Sequence, residues 1–293
     1  MPSQVRTLKL GTLAAFSAYG MWGILPLYWK QLSAVDAAEV LCHRVLWSAL
    51  FLVAALLAQG RLGEILPIGQ RRSSFLAVLA CSALISLNWG IYIWAVQVGR
   101  VTESSLGYYI TPLLSVALGA LVFYERLDRW ARASVVLAAL GVAVATWRLG
   151  SLPWVAVVLS TSFALYGALK KRAGLDALSG LAAETLVSLP FALAYLGWIH
   201  GGTLVHAEPK TAVLLVLAGP VTALPLLTFA FATVRIPLQR LGFIQYFSPT
   251  LQLAIGIFLL GEHLSGPMQL AFGTVVAAVL LYALTRPRGE AAS

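Results

Sequence analysis

Residues 37–48 read AAEVLCHRVLWS, and Glu39, His43 and Arg44 put three ionisable groups inside an otherwise apolar run. On a helix, Glu39, His43 and Trp47 share one face at four-residue spacing, with Arg44 and Ser48 on the face beside it. Ionisable groups at membrane depth are costly unless they pair or face a wet cavity. Two readings of the stretch are open. Glu39 and Arg44 form a structural ion pair, or Arg44 snorkels outward along its stem; alternatively these side chains border a solute path, with Arg44 receiving an anionic or strongly polar group. Ala182-Ala183-Glu184-x-Leu186 repeats the Ala37-Ala38-Glu39-x-Leu41 pattern and places a second carboxylate in an apolar run. Glu184 is the candidate for proton coupling, with a structural partnership and substrate contact as its other possible roles.

Aromatic and amide side chains gather in YGMWG (19–23) and NWGIYIW (88–94). Trp22, Asn88, Trp89 and Tyr92 are suited to stack on and hydrogen-bond an amphipathic or aromatic solute, although Asn88 serves equally as interhelical glue. Pro112 and Pro249 lack the N–H that would close a helical turn. They are expected to free the carbonyls of Tyr108 and Gln245, making Tyr108, Tyr109, Gln245 and Tyr246 candidate wall residues. Trp29, Trp130, Trp154 and Trp198 lie near segment ends and read as interfacial belt. Glu125 and Glu262 read as loop or helix-end charges, and His200 and His206 have no further ligands at metal-binding spacing. No metal or other cofactor is expected.

These residues must be carried by membrane-spanning helices. Of the 293 residues 60% are hydrophobic and 11% charged, which fits no soluble class. Ten apolar stretches are long enough to cross a bilayer: about 10–29, 38–58, 75–97, 104–123, 131–147, 152–169, 177–199, 211–233, 238–260 and 267–285. They lack the period-two alternation of a membrane barrel. With a cytoplasmic N-terminus, fifteen of the twenty Lys and Arg fall on the cytoplasmic side, against Lys30, Arg100, Arg148 and Lys210 on the other and Arg44 within a span. This positive-inside bias predicts a multi-pass protein of the inner or plasma membrane with both termini cytoplasmic. The net charge of +9 then faces anionic lipid, with no nucleic acid required. Cys42 and Cys81 sit alone in apolar runs and imply neither a disulfide framework nor a zinc site.

The two halves carry related patterns in register. Besides the Ala-Ala-Glu pair, Arg100 with Leu106-Gly107 returns as Arg235 with Leu241-Gly242, and Pro112, Gly119, Glu125 and Leu127 return as Pro249, Gly256, Glu262 and Leu264. Duplication accounts for three such matches better than chance. Five spans per half make the second repeat enter the membrane inverted, so 1–148 and 149–293 are expected to be two inverted five-helix repeats. Small residues in spans five and ten (Ala138, Ala139, Gly141; Gly273, Ala277, Ala278) permit close packing without naming a partner. There is no H-E-x-x-H, no G-x-S-x-G and no P-loop, which argues against an intramembrane enzyme or a primary pump. An ion channel or lipid scramblase is the alternative to a solute transporter, and the oligomeric state is open.

The stretches EVLCHRVLWS, NWGIYIWAV, ESSLGYYITPL, SFALYGALKKR and LGFIQYFSPT, with Gly261-Glu262, closely resemble the RarD branch of the EamA-type permeases, in the drug/metabolite transporter superfamily. The resemblance runs from the first span to the last. It implies ten helices in two inverted repeats, a cavity between them and alternating access for a small organic solute. Members of the branch are often labelled chloramphenicol-sensitivity proteins. The resemblance supplies no agreed binding residues.

Overall fold

A computed structural model describes residues 2–124, 127–174, 176–233, 235–236 and 244–285. Among these residues the chain is helical throughout, without strands. The helices are α1 (Pro2–Lys30), α2 (Ala37–Ala58), α3 (Ile65–Gln70), α4 (Arg72–Gln97), α5 (Val101–Phe123), α6 (Arg129–Leu149), α7 (Trp154–Ala173), α8 (Ala177–Trp198), α9 (Thr203–His206), α10 (Pro209–Thr233), α11 (Phe247–Ala254) and α12 (Gly266–Thr285). A π-turn, Ile255–Leu259, continues α11. Among the described residues, eight helices are long and apolar enough to cross a membrane, while the sixth and ninth expected spans appear there as the shorter apolar helices Trp154–Lys170 and Phe247–Leu259. Glu125, Leu241, Gly242 and the first part of the expected ninth span lie outside the described residues.

The boundaries follow local chemistry. Each of the chain's three aspartates caps a helix. Asp36 accepts from Ala38 N at 2.9 Å, Asp128 from Trp130 N and Ala131 N at 2.8 and 2.7 Å, and Asp176 from Leu178 N and Ser179 N at 2.9 and 3.2 Å. A carboxylate there satisfies orphaned N–H groups and meets the positive end of the helix dipole. Gly150 and Gly174 follow α6 and α7 in left-handed conformation, at φ 66° and 61°, where a Cβ would be strained.

Packing crosses the midpoint of the chain almost everywhere. All five apolar clusters draw residues from before and after position 148: Trp29 and Tyr92 with Leu159 and Leu215, Leu113 with Val275, Leu52 with Leu181, Ala15 with Ile244, and Val78 with Ala183. The helix pairings also mirror one another. α4 packs on α7 as α10 packs on α1; α5 lies on α7 as α11 lies on α1; α4 meets α8 as α10 meets α2. The pairs α2–α8, α5–α11 and α6–α12 each join a helix to its counterpart in the other half. α6 meets α12 tightly at Gly141, where a Cβ would fall 1.8 Å from Thr274 Oγ1. Of the small residues of α6 and α12, Ala138, Gly141 and Ala278 are buried and serve this contact, whereas Ala139, Gly273 and Ala277 face outward. Outward-facing Leu121, Phe191, Phe258 and Leu284 are strongly exposed, as suits a surface solvated by lipid.

Candidate functional site

Asp36 starts α2 and sets its rotation, which carries Arg44 about 10 Å along the helix from its start. Arg44 is 4% exposed. Its guanidinium lies over the Trp89 ring of α4 at 3.8 Å and 5.4 Å from the Trp29 ring of α1. Tyr92 and Tyr108 lie within electrostatic reach, and their rings meet edge to face at 5.7 Å. Arg44 Nε and Nη1, Trp29 Nε1, Tyr92 OH and Ser48 Oγ are all buried without a hydrogen-bond partner. Asn88 borders this group and is fully engaged: its amide donates to Leu159 O and Ser162 Oγ, both at 2.9 Å, and its carbonyl accepts from Tyr108 OH at 3.4 Å. Asn88 therefore ties α4 to α5 and α7.

Glu39 does not pair with Arg44. It turns to the segment before α10, accepting from Thr203 N at 2.5 Å and Thr203 Oγ1 at 2.9 Å, with His43 Nε2 3.8 Å away. The ion pair fails for a geometric reason, since the two side chains leave the helix on different faces and Thr203 offers Glu39 two donors. Two other carboxylates behave alike. Glu103 accepts from Val155 N at 2.9 Å and pairs with Arg100 at 2.6 Å, and Glu262 accepts from Val101 N and Thr102 N, both at 2.7 Å. All three contacts join the first half of the chain to the second. They lie at one end of the bundle, with loops 31–36, 98–100 and 150–153, where Lys30 also donates to Gln97 O and Gln97 to Leu32 O and Val35 O. At the opposite end, Arg61 joins Asp176 at 3.1 Å through exposed side chains.

The remaining candidates fall into separate groups. Trp22 packs with Tyr19 and Phe229, and its carbonyl accepts from Gln252. Tyr109 points away from Tyr108, bonding Thr250 Oγ1 at 2.5 Å and stacking on Tyr246 at 5.9 Å. Gln245 is half-buried in the turn before α11. Pro249 sits in the first turn of α11, where no N–H is needed, so it frees no carbonyl at Gln245; its own carbonyl accepts from Ser105 Oγ at 2.7 Å. Glu184 is 1% exposed and held by Tyr166 OH at 2.9 Å and Lys170 Nζ at 3.1 Å, while Lys170 also donates to Tyr166 at 2.7 Å.

The profile of the EamA-like transporter family matches residues 9–147. "Uncharacterized transporter YojE" of Bacillus subtilis is 41% identical over 97% of both chains, and "Protein RarD" of Escherichia coli 36% identical over 94% of both. "Chloramphenicol-sensitive protein RarD" of Pseudomonas aeruginosa is 31% identical over 92% of each chain. The chain is a RarD-type member of the EamA-like family. Its fold is shared with a solved structure described as "Crystal structure of protein", at a TM-score of 0.62 and 19% identity over 96% of this chain and 99% of that one. This RarD-type chain is a membrane transporter.

Two residues of the RarD-type core escape a sequence reading. Trp29, expected in the interfacial belt, is wholly buried against Arg44, whereas Trp130, Trp154 and Trp198 are exposed. Its seven-residue spacing from Trp22 was the available signal. Lys170, one of the fifteen basic residues expected on the cytoplasmic side, folds back along α7 onto Glu184, as four-residue spacing from Tyr166 allows.

Proposed function

We propose that this chain is a secondary transporter that moves a small organic solute across the cell membrane by alternating access, built as two inverted five-helix repeats with both termini cytoplasmic. The mirrored helix pairings support the repeat, and the distribution of basic residues supports the orientation. The observation that carries the reading is the end of the bundle poor in basic residues. There Glu39, Glu103 and Glu262 each bond backbone N–H groups of the other half. This end is the external gate in its closed arrangement, above the Arg44 group. Charge-assisted bonds of this kind contribute about 1.5–3 kcal/mol each, enough to hold one arrangement without preventing the other. Glu184 is the proposed proton carrier: it is buried and bonded to Tyr166 OH and Lys170 Nζ, and it exchanges its proton as the Lys170 contact opens and closes.

The test is counterflow in proteoliposomes loaded with amino acids, small aromatic metabolites and chloramphenicol, the last because of the name of the Pseudomonas relative. Saturable exchange of one class of solute is expected, responding to an imposed pH gradient. Exchange indifferent to the gradient removes Glu184 from the mechanism. Lipid movement without solute exchange would point to a scramblase instead.

A further inference from the structure

We propose that the buried cluster around Arg44 binds the single carboxylate of a flat, largely apolar organic acid. The inference deepens the transporter reading and rests on it. The first observation is charge. Arg44 is 4% exposed and, among the described residues, has no carboxylate within ion-pairing distance. A buried cation without a counterion is costly, and a bound anion supplies the missing charge. The second is the balance of donors and acceptors. Arg44 Nε and Nη1, Trp29 Nε1 and Tyr92 OH are buried and unpartnered, the Trp29 ring lies 5.4 Å from the guanidinium, and Ser48 Oγ follows Arg44 one turn on. Arginine and indole nitrogens only donate, so the ligand group that satisfies them must accept. Among the nearby carbonyl and carboxylate acceptors, Glu39 is held by Thr203 and Asn88 Oδ1 by Tyr108, while the free Ser48 and Tyr92 hydroxyls can donate to a carboxylate. An ammonium group would place a second positive charge beside the buried Arg44.

The third observation is shape. The guanidinium carbon lies 3.8 Å from the centre of the Trp89 ring, while Nε and Nη1 stay unpartnered, a neighbouring pair of donors that a carboxylate can bridge. The walls are the rings of Trp29, Trp89, Tyr92 and Tyr108, which suit a planar apolar body. One positive charge matches one negative charge, so a dianion would leave a second charge uncompensated in the core.

Binding to the purified full-length chain in detergent, measured by calorimetry, tests this with probes that share one ring system: indole-3-acetate, indole-3-acetamide, tryptamine and tryptophan. Benzoate, benzamide and benzylamine form a matched second series. In each series the monocarboxylate is expected to bind at least about tenfold tighter than the amide, and more tightly than the amine or the zwitterion. Arg44→Gln is expected to erase that preference. Tyr92→Phe and Ser48→Ala keep Arg44 and so guard against loss of folding; each is expected to weaken the acid several-fold and leave the amide unchanged. The proposal is overturned if neither series favours the acid, or if Tyr92→Phe, Ser48→Ala and Arg44→Gln all leave the preference intact. Counterflow of a neutral or cationic solute that the acids do not compete with leaves the transporter reading standing and removes this one. Arg44-dependent binding of the acids without counterflow of any solute keeps the site and removes the transporter reading.

Discussion

Glu39, His43 and Arg44 occupy the helix faces that their spacing dictates, yet the structure divides them between two tasks. Glu39 spends its oxygens on Thr203, and Arg44 keeps two nitrogens free beneath the ring of Trp89. Spacing along one helix was legible. Thr203 lies 164 positions away, and nothing local to either residue announces the contact. Arg44→Gln is expected to lower the rate of solute counterflow at least about tenfold while the protein keeps its elution profile on gel filtration. Counterflow at the original rate would remove Arg44 from the path. Glu184→Gln is expected to abolish the response to a pH gradient while solute exchange continues. A retained gradient response would leave Glu184 as the structural partner of Lys170.

Among the elements, the helix starts were the most legible part, because an aspartate before an apolar run has one cheap use. Asp176 shows the cost of losing it. Partial burial alone would raise its carboxyl's proton affinity, but the Ser179 and Leu178 N–H groups and the Arg61 guanidinium outweigh this and hold it below the usual carboxylate range. A carboxyl depressed on folding stabilises the fold above its unfolded value near pH 4, and the contribution is lost as the pH falls from there. Asp176→Ala is therefore expected to cost about 1 kcal/mol at neutral pH, measured as a lowered thermal midpoint, with the difference from the parent narrowing below about pH 4. The contact between α6 and α12 was legible only as a stripe of small residues. Gly141→Leu should destabilise the protein more severely than Asp176→Ala, since Thr274 leaves no room for even one carbon. A variant as heat-resistant as the parent would refute that packing.

For the whole molecule, sequence patterns suggested two five-helix units but not that each would find its main neighbours in the other. Hydropathy reports which residues meet lipid, and it is silent about which helix covers which. The proposed external gate gives a direct test. With Cys42→Ser and Cys81→Ser as background, a disulfide formed through Thr102→Cys and Glu262→Cys should stop counterflow, and reduction should restore it; exchange through the crosslinked protein would rule out opening at that end. The interleaving also bears on how the chain is made. α1 leaves the ribosome more than two hundred residues ahead of α11, which packs on it, and all the first-half helices wait in the bilayer for covering surfaces that have not been synthesised. Arg44 spends that interval without its finished surroundings, an expensive guest in hydrocarbon. A chain stopped after α6 would be an unsatisfied surface marked for proteolysis, whereas the two fragments made together carry everything needed to assemble.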